Sequence, residues 1–515
     1  MLVKTYCAAV NGLNVSTVII ETSVERGQKV VLSGLGDEAV RESLSRVSTA
    51  FTYSGYKFPD KAITINLSPA NIRKEGSGYD LPIAVGILAA DEEMPDNHLH
   101  EYMLMGELGL DGTLKPIKGA LPIAILARKE KYKGLIVPKE NEREAAVVNN
   151  LEVYGMHSLS EVVMFLSDKL YASPVAFDTR KVFYEQQAKT DYDFADVKGQ
   201  ESVKRAMEIA AAGGHNMIMI GPPGSGKSMM AKRLPSILPP LSLSESLETT
   251  QIHSIAGKLG AEQSLIYQRP FRSPHHTISQ VALCGGGANP QPGEISLAHN
   301  GVLFCDELPE FSKTTLEVLR QPLEDRKITI SRAKYTIEYP CSFMFVASAN
   351  PCPCGYYGDR LHTCVCTPGQ ISRYMSKISG PLLDRIDIHC EIQAVPFAQL
   401  SRMQPGEPSS VIRERVIAAR KIQEERFKEY KGIHCNAMMT ERMIHEFAEP
   451  DAQSLDMLRM AMEKLKLSAR AYSRILKVAR TIADLAGSEK VQSMHIAEAI
   501  GYRSLDRGDW AERGI

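Results

Sequence analysis

Ile218-Met219-Ile220 is followed by Gly221, Pro222, Pro223, Gly224, Ser225, Gly226, Lys227 and Ser228, and then by Met229-Met230-Ala231-Lys232. A β-type run, a glycine-rich turn and a helix start in this order form the G-x-x-x-x-G-K-S loop, whose backbone N–H groups wrap phosphate oxygens at a helix N-terminus. Lys227 is then placed for terminal phosphates and the Ser228 hydroxyl for Mg²⁺. Gly301-Val302-Leu303-Phe304-Cys305-Asp306-Glu307 is a second apolar run, ending in two carboxylates. Asp306 suits Mg²⁺, mostly through water, and Glu307 suits polarising an attacking water. Cys305 stands where an aliphatic residue is expected and should pack as a small hydrophobe. A third apolar run, Phe343 to Ala349, ends in Asn350, whose amide can position that water.

Two arginines and four cysteines add to this set. Arg385 lies between Asp384 and Asp387 in the segment Gly380 to Asp387. It reads either as a surface ion pair or as a cation offered to a neighbouring subunit's γ-phosphate. Arg470, Arg474 and Lys477 share one helical face, which reads as a phosphate sensor at Arg470 or as a solvated basic face. Cys352, Cys354, Cys364 and Cys366 form two C-x-C pairs nine residues apart. Four thiolates at this spacing can close a structural Zn²⁺ site, with His362 as a substitute ligand; reduced free cysteines in a turn are the alternative.

These residues need elements to hold them. At 515 residues the chain exceeds what one core holds, so several domains are expected. With 44% hydrophobic and 23% charged residues it has ordinary globular composition, which excludes disordered and collagen-like classes. Sixty basic against sixty-one acidic residues leave a net charge of −1, so any nucleic-acid contact must come from a local basic surface. No apolar run approaches the roughly 20 residues of a membrane span, and Met1-Leu2-Val3-Lys4-Thr5 does not begin a signal peptide, so a cytoplasmic protein is expected.

Residues 1–170 alternate strand and helix signals and read as an α+β domain. Strands are expected at Val15–Glu21, Lys29–Leu32, Ala62–Leu67 and Leu135–Val137, and helices at Asp37–Ser54, Leu81–Ala90 and Leu121–Arg128. Periodicity fades over 171–193, a linker. Residues 194–400 alternate strand, loop and helix, as in a parallel sheet covered by helices on both faces, with the cysteines inserted at 352–366. The polar connector Gln404 to Ser410 leads to a helical domain over 411–515. Its strongest helix starts at the N-cap Ser468, ends at Gly487, and turns Ile475, Val478, Ala479 and Ile482 to one side. The fold class is α/β overall.

Phe271 to Ser279, Gly293 to Phe304 and Gly380 to Asp387 resemble signatures of the ComM/YifB competence-associated family, in the magnesium-chelatase-like clade of the AAA+ superfamily. The resemblance covers nearly the whole chain. It implies a P-loop ATPase domain with a C-terminal helical lid. Gly221 to Ser228 correspond to Walker A, Asp306 and Glu307 to Walker B, Asn350 to sensor 1, Arg385 to the arginine finger and Arg470 to sensor 2. It also implies ATP and Mg²⁺ as cofactors and a homohexameric ring that translocates on DNA, driving branch migration in natural transformation, with recombination proteins as further partners. Residues 73–82 and 112–120 are similar to the Lon-type protease domain, but its nucleophile position falls on Gly78 and its lysine position on Leu121. Neither can form a dyad, and a dyad shifted to Ser77 and Lys118 is disfavoured, so the N-terminal domain is expected to be a scaffold, a ring-stabilising element or a DNA guide, not a protease.

Between the two phosphate-site segments lie Arg269, Arg272, His275, His276 and the glycine-rich stretch Cys284 to Gly293. They read either as loops tracking a DNA backbone in a ring's pore, without base readout, or as structural ion pairs and turns. The rival to a DNA motor is a chelatase-type ATPase that remodels a protein partner without gripping DNA.

Overall fold

The computed structural model describes residues 1–187, 192–260, 263–287, 290–332, 335–359, 361–394, 406–465, 467–503 and 505. Residues 404 and 405 of the connector, 288 and 289 of the glycine-rich stretch, and 506–515 of the helical domain lie outside them.

The N-terminal unit is built on a seven-stranded mixed sheet, in the order Val30–Ser33, Ala62–Ser68, Asn14–Glu25, Leu2–Asn11, Tyr102–Leu104, Gly134–Pro138 and Glu152–Met156. Leu2–Asn11 and Asn14–Glu25 form an antiparallel hairpin, whereas Tyr102–Leu104, Gly134–Pro138 and Glu152–Met156 run parallel. The helix Glu38–Tyr53 begins where Asp37 accepts from the Val40 N–H, as an N-cap should. The helix Asp80–Ala90 is buried along its whole length, because it lies between the sheet and its neighbours. Residues read as linker include a helix, Thr179–Gln187, whose Phe183 is buried in this unit's core. That core also takes in Leu241 and Leu265 from the segment between the phosphate loop and the acidic strand.

The second unit carries a five-stranded parallel sheet in the order Phe271–Arg272, Val302–Cys305, Met344–Ala349, Met217–Ile220 and Ile388–Glu391. Side chains alternate across its plane. Met217, Met219, Val302, Phe304 and Val346 enter one core, while Ile218, Ile220, Leu303, Cys305 and Phe345 enter another on the opposite face. Such two-sided burial explains why these strands are uniformly apolar in sequence. An antiparallel hairpin, Lys327–Arg332 with Tyr335–Pro340, stands in the chain between Val302–Cys305 and Met344–Ala349.

The helical lid shares the first of those cores: Val416, Ile475, Val478 and Ile482 join Val203, Met207 and Met230. Its helix Ala469–Leu485 has Ser468 as N-cap, accepting from the Ala471 N–H, and is followed by Gly487 at φ 66. Ser409 opens the helix Ser409–Arg426 and ties it to the start of the second unit. Its hydroxyl accepts from Phe194 N at 2.7 Å, and its N–H donates to Asp193 at 2.9 Å.

Candidate nucleotide site and its surroundings

The strand Met217–Ile220, buried throughout, delivers the chain to Gly221 at the C-terminal edge of the parallel sheet. The loop turns through Gly224 at φ 75 and Gly226 at φ 90, left-handed values that glycine adopts without strain, and the helix Lys227–Ile237 begins. Among the described residues no atom lies near the side-chain position of Gly224, and the buried Ser225 hydroxyl finds no hydrogen-bond partner. An open glycine turn, an unpaired buried donor and free helix N–H groups fit phosphate oxygens. Lys227, 8% exposed, donates to Gly221 O at 2.6 Å, Pro222 O at 2.9 Å and Asn350 Oδ1 at 3.3 Å. Burial lowers its pKa, opposed by the charges of Asp306 and Glu307. The phosphate-loop lysine and the amide of Asn350 therefore meet, as the sequence predicts.

Asp306 follows the buried strand Val302–Cys305. Its Oδ2 accepts from Ser228 Oγ at 2.6 Å, so the two predicted Mg²⁺ ligands face each other. Its Oδ1 accepts from the hydroxyl of Ser348, which in turn accepts from the Glu307 N–H at 3.0 Å. Ser348 was not among the residues singled out by sequence. The only signal was a small polar residue inside an apolar run, two positions before Asn350. Glu307 itself sits at φ 53, ψ 52, a left-handed conformation that costs a non-glycine residue about 1 kcal/mol or more. Its side chain is exposed toward solvent. Cys305 is fully buried, and burial pushes its thiol up to about 12, so it is the inert filler expected.

Arg385 and Arg470 lie elsewhere. Asn216 precedes the phosphate-loop strand and bonds both Arg385 O, at 3.0 Å, and Phe345 N, at 2.9 Å, which places Arg385 at the N-terminal edge of the sheet. Four residues of strand, about 3.3 Å each, separate that edge from the phosphate loop by roughly 13 Å. Arg385 pairs with Glu324 at 2.6 Å and donates to Pro381 O at 2.6 Å. Arg470 pairs with Asp384 at 3.0 Å and therefore belongs to the same edge. The basic face beyond it is not solvated. Arg474 pairs with Asp387 at 3.1 Å, and Lys477, 9% exposed, donates to Ala437 O, with burial bringing it down to about 8.

Of the two readings of Arg269 and Arg272, their partners favour structural ion pairs over cations that track DNA. Arg269 is engaged by Pro239 O, Asn300 O and Glu245, and Arg272 forms a two-pronged pair with Glu294 at 2.6 and 2.7 Å. Both are structural. His275 remains exposed, its ring 4.1 Å from that of His276. The ribbon Gly285–Gly286 packs beside the hairpin: a Cβ on Gly285 would meet Ile330 Cδ1 at 2.8 Å. The N-terminal unit reaches the same hairpin, since a Cβ on Gly12 would run into the Ile337 side chain.

At the protease-like positions, a Cβ on Gly78 would touch Met105 and Ile117, and Leu121 is buried. The Ser77 hydroxyl donates to Glu107, and the Lys118 stem lies over Gly257. Glu144, buried and raised in pKa by that burial, accepts from Leu121 N at 2.9 Å and from Ser254 of the helix Leu243–Ile255. The protease-like corner is thus a docking point between the two units.

The four cysteine sulfurs lie within 4.8 Å of one another. His362 does not join them; its ring stacks on Tyr356 and bonds Asp359 at 2.8 Å. Among the described residues no helix is long and apolar enough to cross a membrane.

Comparison with known proteins agrees with this geometry. Residues 193–400 match the family "Magnesium chelatase, subunit ChlI", residues 20–141 match "Subunit ChlI of Mg-chelatase", and residues 406–503 match its C-terminal family. The chain is 42% identical to the competence protein ComM of Haemophilus influenzae, over 98% of this chain and 97% of that protein. It is 43% identical to the uncharacterized protein YifB of Escherichia coli, over 96% of each. A shorter likeness, 32% identity over 28% of the chain, relates it to Lon protease 2 of Bacillus subtilis.

Proposed function

Because the chain belongs to the ComM/YifB family of magnesium-chelatase-like AAA+ ATPases, we propose that it is a homohexameric, ATP-driven ring motor acting on DNA in the cytoplasm. Its task in this reading is branch migration during natural transformation, in concert with recombination proteins. The name of the Haemophilus influenzae relative as a competence protein supports the setting. The observation that carries the motor reading is the division of the hydrolytic residues between opposite edges of one sheet. Lys227, Ser228, Asp306, Glu307 and Asn350 gather at one edge, and Arg385 with Arg470 at the other. A site completed only by a neighbour's arginines needs a ring, and makes hydrolysis depend on how the subunits meet.

ATP with Mg²⁺ supplies the scissile phosphoanhydride and the charge that draws these groups together. On the protein's side, Gly221 to Gly226 offer backbone N–H groups and Lys227 a cation. Ser228 and Asp306 hold the metal. Glu307, aimed by Ser348 through its own N–H, takes a proton from the attacking water, and the Asn350 amide orients that water. Four thiolates at Cys352, Cys354, Cys364 and Cys366 add a structural Zn²⁺. Sequence-independent DNA contact falls to the exposed loop at His275 and the hairpin Lys327–Pro340, since Arg269 and Arg272 are engaged in pairs.

The test is the ATPase rate with and without single-stranded and four-way-junction DNA, beside a Glu307→Gln control. Stimulation by DNA that vanishes in the variant supports the motor on DNA. Turnover abolished by Glu307→Gln yet indifferent to any DNA favours a protein-remodelling ATPase.

A further inference from the structure

Cys352 and Cys354 belong to a tight turn in which Gly355 N donates to Cys352 O at 3.0 Å, and Gly355 takes φ 86. Cys364 and Cys366 return across it. The Sγ separations are 3.3 Å for Cys352–Cys354, 3.7 Å for Cys352–Cys364 and 3.6 Å for Cys354–Cys364. Four sulfurs about 2.3 Å from a tetrahedral Zn²⁺ stand about 3.8 Å apart, so the cluster has the size of a zinc cage. Backbone N–H groups aim at the sulfurs as they do at thiolates: Tyr357 N at Cys352 and Cys366 N at Cys364.

The position of this cage is informative. Cys352 is fully buried and follows Asn350 by two residues. Gly355 abuts the phosphate loop, since a Cβ there would lie 2.6 Å from Pro223 Cδ and 2.8 Å from its Cγ. The segment returning through Cys366 runs into Thr367, which caps the helix Pro368–Met375 with a reciprocal capping box. From that helix the buried Tyr374 sets its phenol close enough to the Asn350 backbone, Glu307 and Glu310 for all three to act on its hydroxyl. The loop between the two cysteine pairs has little apolar core of its own.

Resting on the reading that these thiolates hold Zn²⁺, we infer that the metal cage is a strut of the nucleotide site. One side braces Pro223 through Gly355; the other, through the Thr367-capped helix, keeps Tyr374 beside the backbone of Asn350. Metal loss then loosens the phosphate loop and the water-positioning amide together, without touching any residue that binds nucleotide. The ATPase becomes dependent on an ion that takes no part in hydrolysis, and agents that oxidise or strip thiolates become inhibitors acting beside the site.

The full-length protein, purified without chelator, serves for the test, with zinc measured by elemental analysis and nucleotide affinity by the fluorescence of a methylanthraniloyl-ADP probe. Wild type should carry one zinc per chain. The variant Cys364→Ser/Cys366→Ser should lose it and bind the probe about tenfold or more weakly, the range seen when supports around a bound group are removed. Gly355→Val should keep its zinc and still bind weakly, because its side chain displaces Pro223; this arm stands even if the double variant folds poorly. Wild type without zinc would overturn the metal reading itself. Zinc that is present in wild type and lost in the double variant, with probe affinity unchanged in both variants, would overturn the strut and leave the metal reading intact.

Discussion

One hydroxyl, that of Ser348, organises two acidic residues of the hydrolytic site. It donates to Asp306 and accepts the Glu307 N–H, so it fixes the carboxylate proposed to face the metal and holds the backbone of the one proposed to activate water. Ser348→Ala removes both bonds from a fully buried position while leaving the strand's packing nearly unchanged. Losing such a support around a metal ligand typically costs 10–100-fold, so kcat should fall by about that factor and the Mg²⁺ requirement should rise. Binding of ADP should change little, because Lys227 and the phosphate loop are untouched. Glu307→Gln, by contrast, should keep ATP bound and lower kcat by about 10²–10⁴-fold, the usual worth of a general base. Both outcomes are read from steady-state ATPase rates with titrated Mg²⁺ and from nucleotide binding. The two residues differ in how visible they are in sequence. Glu307 adjoins Asp306 at the end of an apolar run, and its chemistry is written locally. Ser348 lies 42 residues from the aspartate it supports, and only the pairing of adjacent strands brings them together.

Among elements, the helix Ala469–Leu485 shows what periodicity conveys. Its cap, its end and its buried face follow from 3.6-residue spacing. Its polar face does not, because the partners come from the other end of the second unit. Asp387 lies buried between Arg474, His215 and Lys477; burial alone would raise its pKa, but the charges of Arg474 and Lys477, with the His215 ring beside it, hold it well below the usual carboxylate range. His215 is fully buried, and burial depresses its pKa against the pull of Asp387, with Lys477 and Arg420 adding to the depression; its Nε2 is bonded to Thr481. Both folded values lie below their unfolded ones, so the unfolded chain binds more protons as the pH falls. Stability should therefore decline below about pH 6.5 as His215 favours the protonated unfolded state, and more steeply below about pH 4 from Asp387. Thermal unfolding from pH 8 down to about pH 2 checks this. Asp387→Asn should remove the steep acidic limb and, by stranding Arg474 and Lys477, cost about 3–5 kcal/mol at neutral pH. The same blindness to distant partners explains Arg269 and Arg272: their acidic partners Glu245 and Glu294 lie 24 and 22 residues away, so an exposed basic loop and a paired one look alike in sequence. The strand Leu2–Asn11 has another cause. Cys7, Ala8 and Ala9 are all buried in succession, which erases the alternation that betrays a half-exposed strand.

For the whole molecule, the opposite-edge placement of Arg385 makes a prediction that no single residue or element makes. Its own phosphate loop lies across the sheet, and its buried side chain is held away from that loop by Glu324 and Pro381 O. Arg385→Ala subunits should bind nucleotide normally, since none of their phosphate-loop contacts change, yet hydrolyse it about 10³-fold more slowly in the assembled ring. Glu307→Gln subunits should be equally silent for a different reason. When the two inactive proteins are mixed and allowed to exchange, some interfaces will join an intact Glu307 from one subunit to an intact Arg385 from its neighbour. With random assembly such interfaces are one in four, so ATPase activity should return to about a quarter of wild type if sites act independently. If Arg385 served its own nucleotide instead, every subunit in the mixture would lack one essential group, and no activity would return. Recovery is thus a direct measure of whether the catalytic unit is a single chain or the junction of two. The same mixing with Arg470→Ala in place of Arg385→Ala asks whether the Asp384-paired arginine crosses that junction as well.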